Sequence, residues 1–203
     1  MARKSGPERR EHGSDRRKQI LAIAAKLFAT HGYSSTTVRD IADEAGILSG
    51  SLYHHFASKE AIAREVLLTF LESLVAQYEE IVAADDDVRT TVENLVRVSF
   101  AAIQDQTDSV GLYQNEALFL QTQPGFEFIG EKSARIEAIW LEQLRRGQDQ
   151  GSLRETLDLP TLYRFIRDSL WSSVRWYHPG GRHTADTLSA TFLDLIRHGI
   201  LAD

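Results

Sequence analysis

Apolar residues return every three or four positions along almost the whole chain, and only four prolines (Pro7, Pro124, Pro160, Pro179) interrupt them. That spacing is the period of a helix lying with one face on a core, whereas a half-buried strand would alternate. Ile20, Ile23, Ala24, Leu27 and Phe28 begin the pattern, which stops near His31 and Gly32. Ser35 or Thr36 is placed to cap a second helix with Val38, Ile41, Ala42 and Ala45 inward, stopped by Gly46. A very short third helix is expected from Ser49 to Phe56, and Ser58 caps a long fourth reaching about Val82. Later stripes are carried by Val88, Val92, Leu95, Val96, Ser99 and Ile103, by the segment from about Val110 to Thr122, and by Ile129, Ser133, Ile136, Trp140 and Leu144. Pro160 suits the first turn of the next helix, expected to reach Tyr177, and Thr184 starts the last, with Leu188, Phe192, Leu195, Ile196 and Ile200. No strand pattern emerges. The expected fold class is all-α, with about nine helices.

Residues 1–15 (MARKSGPERREHGSD) show no apolar period and read as a disordered basic tail. Residues 16–57 then form a small head and residues 58–203 a helical body, with no Gly-, Pro- or Ser-rich linker between them. The formal net charge of −6 argues against phosphate binding until it is divided. Residues 1–60 carry 10 Lys and Arg against 7 Asp and Glu, so a basic head sits on an acidic body. With no cysteine, disulfides, thiolate nucleophiles and Cys-rich zinc sites are excluded. No apolar run approaches the roughly 20 residues of a membrane span. A cytoplasmic protein without membrane attachment is expected.

The densest local signal lies between Thr36 and Phe56. Ala42 lets two helices cross closely, Gly46 supplies a tight turn, and Ile47 and Leu52 seat the second helix on the first. This is helix-turn-helix logic, in which one helix braces across the DNA backbone and the next enters the major groove. Ser49, Ser51, Tyr53, His54 and His55 are the polar residues of the recognition segment, able to reach phosphates or base edges. Thr36, Thr37 and Lys59 stand at helix starts, where free N–H groups favour phosphate. An ordinary helical hairpin with a polar face would show the same periodicity. Adjacent histidines diverge by about 100° on a helix, so His54 and His55 make a poor metal pair.

The stretch TTVRDIADEAGILSGSLYHHFASKEAI closely resembles the DNA-binding region of TetR-family transcriptional repressors, including the Gly46 turn, Tyr53 and Phe56, and Lys59. The resemblance implies a homodimer on near-palindromic operator DNA, with Thr37, Ser51, Tyr53, His54 and Lys59 as DNA contacts. It also implies a small-molecule effector in the body.

In TLYRFIRDSLWSSVRWYHPGG, one face (Leu162, Ile166, Ser169, Leu170, Ser173, Val174, Tyr177) suits a core or a helix–helix interface. Beside it Arg167, Trp171 and Arg175 recur every fourth residue. Two guanidiniums around an indole suit an anionic ligand with a flat group, although arginine–tryptophan stacks also occur with no ligand at all. The same helix resembles that of the TetR-type repressors of actinobacterial steroid catabolism, in particular control of the last two steroid rings. That resemblance implies a coenzyme A thioester effector, touched by Arg167, Trp171 and Arg175. Tyr113, Gln114 and Glu116 either orient a ring ketone in an apolar pocket, a role that suits Tyr113 best, or are solvated polar positions, and Phe126, Phe128 and Trp140 read as core. The last two helices are expected to form a four-helix dimer interface. No cofactor, no metal ligand set and no catalytic residue is expected. A fatty acyl-CoA or drug-like effector is an alternative, as is an all-α enzyme acting on CoA esters, for which no HExxH or GxSxG motif is present.

Overall fold

The computed structural model describes the backbone of residues 7–198 and the side chains of residues 15–198. Nine α-helices account for the fold among the described residues: α1 Pro7–His31, α2 Val38–Glu44, α3 Ser49–Leu52, α4 Lys59–Ala83, α5 Val88–Asp105, α6 Thr107–Leu120, α7 Phe128–Asp149, α8 Leu159–Trp171 and α9 Ala185–His198. The all-α expectation holds.

Short polar signals set the helix ends. Gly32, at φ 87°, closes α1. Thr37, not Ser35 or Thr36, caps α2: its Oγ1 accepts the Asp40 N–H at 3.2 Å, and Asp40 Oδ2 accepts the Thr37 N–H at 2.8 Å. Gly46, at φ 65°, makes the turn out of α2, and the Ile47 N–H returns to the Ala42 carbonyl at 2.9 Å. Ser58, Asp87 and Asp158 cap α4, α5 and α8, with Pro160 in the first turn of α8. Asp87, the last of three consecutive aspartates, thus belongs to a helix cap.

Three expectations need correction. Helix α1 starts at Pro7, inside the stretch read as a disordered tail, because a first-turn proline followed by Glu and Arg favours a helix even without apolar residues. Residues 1–6 of that stretch lie outside the described residues. Helix α3 is a single turn, and Tyr53–Phe56 continues as turns closed by the His55 N–H on the Leu52 carbonyl at 2.8 Å. Helix α8 does not run to Tyr177. It tightens into a 3₁₀ turn, Ser172–Arg175, where the buried Ser173 hydroxyl donates to the Leu170 carbonyl at 2.6 Å. Ile200 lies outside the described residues.

One continuous apolar core joins head and body. In the head Ile20, Phe28, Ile41, Leu52 and Phe56 close around each other; Ile62, Ala63, Val66 and Leu67 of α4 carry the same core into the body. There Phe70, Tyr78, Leu95, Trp140 and Leu170 continue it, together with Phe126 and Phe128 as expected. Tyr78 meets the Trp140 ring edge-on at 6.3 Å, and its hydroxyl bonds Ser99. Burial pushes that phenol up to about 12. No helix among the described residues is long and apolar enough to cross a membrane.

Candidate nucleic-acid interface and effector cleft

The outer face of the helix-turn-helix is made by Thr37, Ser49, Gly50, Ser51, Tyr53 and His54, with Tyr53 and His54 exposed and Ser49 and Ser51 half-buried. A Cβ added at Gly50 would meet nothing within 4 Å, so the open surface continues across it. Hydrogen bonds from Thr37 hold the Asp40 carboxyl below its ordinary range.

Thr36 is not on this face. It is buried, and its hydroxyl donates to the Gly32 carbonyl at 2.9 Å, bracing the turn between α1 and α2. Two adjacent threonines thus divide the labour, one inward and one capping. Lys59 is partly withdrawn as well: its Nζ donates to the Tyr33 carbonyl at 2.9 Å and sits 4.3 Å from the centre of that ring. His55 is half-buried, and its carbonyl accepts from Arg17.

That arginine is a functional residue the sequence reading missed. Its Nε donates to Glu65 Oε1 at 3.0 Å, Nη2 pairs with the other carboxylate oxygen, and the guanidinium lies 4.0 Å over the Phe56 ring. Arg17 thereby bolts the end of the recognition segment to α4. Arg16 donates to the Ala45 carbonyl at 2.7 Å and fixes the end of α2. Part of the head's positive charge therefore holds the reading element in place instead of facing phosphate. No local pattern marks this, since 48 residues separate Arg17 from Glu65.

In the body, α4, α6, α7 and α8 enclose a cleft of about 290 Å³. Phe70, Leu71, Leu74, Ile129 and Ile136 supply apolar wall, and Tyr113, Gln114, Glu137, Arg167 and Trp171 line it as well. Tyr113 and Ser133 join hydroxyls across it at 2.7 Å. Burial pushes the Tyr163 phenol, which also lines the cleft, above its ordinary range.

Of the expected Arg167–Trp171–Arg175 surface, the first two members share the cleft and the third does not. Trp171 is buried with its edge to Phe70 at 6.1 Å, so it is a wall and not a surface plate. Arg167 stacks 5.7 Å from the Tyr163 ring and donates to Asp168 at 2.7 Å; it does not stack on the indole. Arg175 is exposed and lies outside the cleft lining, because the 3₁₀ turn rotates it off the α-helical register. Ser169, placed inward by periodicity, is exposed, and Tyr163 takes a core position instead. A second groove, of about 730 Å³, lies where α5, α7, α8 and α9 meet, and none of the sequence-predicted ligand residues lines it.

Comparison with known proteins matches both halves. Residues 20–66 fit the model of bacterial regulatory proteins of the tetR family, and residues 85–200 fit the tetracyclin repressor-like C-terminal domain. The HTH-type transcriptional repressor KstR2 of Rhodococcus jostii is 45% identical over 187 residues, covering 92% of each chain. KstR2 of Mycobacterium tuberculosis is 44% identical over 92% of this chain and 94% of its own. The solved structure of the ketosteroid transcriptional regulator KstR2 of that organism superposes with a TM-score of 0.88, covering 93% of this chain and 96% of the other. These relatives are transcriptional repressors and not enzymes, which sets the CoA-ester enzyme aside. With both halves matched and the helix-turn-helix in place, the chain belongs to the TetR family of transcriptional repressors.

Proposed function

We propose that this protein is a dimeric, operator-binding repressor of steroid-ring catabolism that leaves DNA when a CoA thioester of a bicyclic ring acid fills the body. The cleft carries the reading: an apolar chamber holding the Tyr113–Ser133 hydroxyl pair, with Arg167 and Trp171 in its lining, in a chain similar to KstR2. Its volume, about 290 Å³, sits at the lower end of ligand pockets. That is room for a compact acyl group and not for a nucleotide as well. The nucleotide end then lies outside, with Arg167 as its first cation, since arginine grips phosphate bidentately. Tyr113 and Ser133 reach a ring ketone.

Exposed Phe165 on α8 and exposed Leu195 and Ile196 on α9 support the last two helices as the dimer interface. Ser51, Tyr53 and His54, with Thr37 and Ser49 beside them, are the proposed DNA contacts; Lys59 contributes through the start of α4.

The test is a gel shift on DNA upstream of the protein's own gene with the bicyclic-ring CoA thioester, its free acid, and CoA alone. Release by the thioester only, with Arg167→Met and Trp171→Leu needing at least about tenfold more of it while binding operator normally, is the expected outcome. Release by a fatty acyl-CoA instead would move the effector to another acyl class. Wild-type response in both variants would remove these residues from the site.

A further inference from the structure

Helix α6 has two working sides. Tyr113, Gln114, Ala117, Leu118 and Gln121 line the cleft. Gly111, Asn115 and Glu116 face α1 and the turn after it. A Cβ on Gly111 would stand 3.1 Å from Ala29 Cβ, Asn115 Nδ2 reaches the Ala29 carbonyl at 3.5 Å, and Glu116 Oε1 accepts the Tyr33 N–H at 3.0 Å. At about 100° per residue the two sets are centred on nearly opposite faces. The helix is thus a rod between the effector chamber and the head.

The far end of that rod holds one well-defined point of the head. Tyr33 follows Gly32, whose left-handed conformation ends α1 and frees the next N–H from helical bonding. Glu116, 83 residues away, takes that N–H. The other polar groups of Tyr33 go to α4: its carbonyl accepts from Lys59 Nζ at 2.9 Å, and its hydroxyl donates to Glu60 Oε1 at 3.2 Å. Three and four residues later Thr36 braces the turn and Thr37 caps α2. The start of the brace helix is therefore hung between α6 through a single carboxylate and α4 through Lys59 and Glu60.

We infer that Glu116 is the positioning residue that transmits cleft occupancy to the helix-turn-helix, by pulling on the Tyr33 N–H when an effector displaces α6. The inference rests on the effector reading above. Glu116 itself does not line the cleft, so its loss removes the link without touching the chamber. The carboxylate bond is charge-assisted and ties α6 to the turn that leads into the brace helix, a directional linkage alongside the close packing of α6 on α1 at Gly111 and Ala29.

The test measures operator affinity of wild type, Glu116→Ala and Glu116→Gln, each with and without the CoA thioester of a bicyclic ring acid, and thioester affinity of each by tryptophan fluorescence. In wild type the thioester is expected to weaken operator binding by about 5–150-fold. Glu116→Ala is expected to bind thioester as wild type does and to keep unliganded operator affinity within about threefold, while the thioester effect falls below about threefold. Glu116→Gln, which keeps an oxygen acceptor for the Tyr33 N–H, is expected to retain most of the effect. A wild-type thioester effect in Glu116→Ala overturns the inference, and so does loss of unliganded operator binding in that variant, which would make Glu116 a simple brace. Hydrogen exchange at the Tyr33 amide of the unaltered protein is the second measurement. Thioester should raise its exchange rate, and an unchanged rate overturns the inference even if Glu116→Ala fails to fold. If wild type itself shows no thioester response, the effector reading fails first, and the wild-type arm reports that separately.

Discussion

Arg17→Met tests whether the head's basic residues read DNA or hold the reader. The substitution keeps most of the apolar stem but removes the bond to the His55 carbonyl, the paired bonds to Glu65 and the stack over Phe56. A guanidinium–carbonyl bond is worth about 1 kcal/mol net. The ion pair is roughly 40% and 33% exposed at its two side chains, so solvent reduces it to about 1 kcal/mol or less. The stack adds about 0.5–1 kcal/mol. The loss is then about 2–3 kcal/mol, or about 4–12 °C in Tm for a chain of this size. The assay pairs thermal unfolding with operator affinity over a range of salt. A bolt predicts the Tm drop, weaker operator binding, and an unchanged slope of log affinity against log salt. A phosphate contact predicts the reverse: Tm held and the slope reduced by about 0.9. That second result would refute the assignment, and a double-mutant cycle with Glu65→Gln showing no coupling would do so from the other side.

Thr36→Val keeps shape and removes the buried hydroxyl bond to the Gly32 carbonyl, which retains the Thr36 N–H; it should lower stability by about 0.5–1.5 kcal/mol in denaturant unfolding without changing the salt slope of operator binding. Asp40, whose carboxyl is held below its ordinary range by Thr37, should titrate at lower pH than a free aspartate in carbon-detected NMR. Thr37→Ala should return it toward the ordinary value. Because the folded-state pKa is depressed, the carboxylate's share of the cap is present above the carboxylate range and is lost as pH falls through the folded value, so the stability gap between Thr37→Ala and wild type should narrow in acid to the part carried by the Asp40 N–H on Thr37 Oγ1.

The helix-turn-helix was legible because its determinants are local. Gly46 sits where a left-handed turn is needed, and Ile41, Ala42 and Leu52 repeat at helical spacing. Which of the consecutive hydroxyl residues Ser34, Ser35, Thr36 and Thr37 caps α2 was not legible: the choice depends on how far α1 runs before Gly32 ends it, and that fixes Thr36 inward. The bonds of Arg17 and Glu116 were invisible for another reason, and Glu116, grouped by sequence with the cleft residue Tyr113, does not line the cleft. Each bonds a partner 48 or 83 residues away, and an arginine in a basic stretch or a glutamate on a polar face gives no sign of it. Arg175 misled because extrapolating every fourth residue assumes an unbroken α-helix. The tightening at Ser172–Arg175 spoils the register at the last step, after Arg167 and Trp171 have both been placed in the cleft.

The uninterrupted core that passes through α4 bears on how such regulators can be recombined. A chimera joined at residue 57, where the head would seem to end, exposes Ile62, Ala63, Val66 and Leu67 to whatever body is fused on, and strips Arg17 of Glu65. The match to the DNA-binding half, which extends to residue 66, marks a better seam. A transplantable reading module from this protein therefore includes the first two turns of α4, and the recipient body must meet it from the third turn onward.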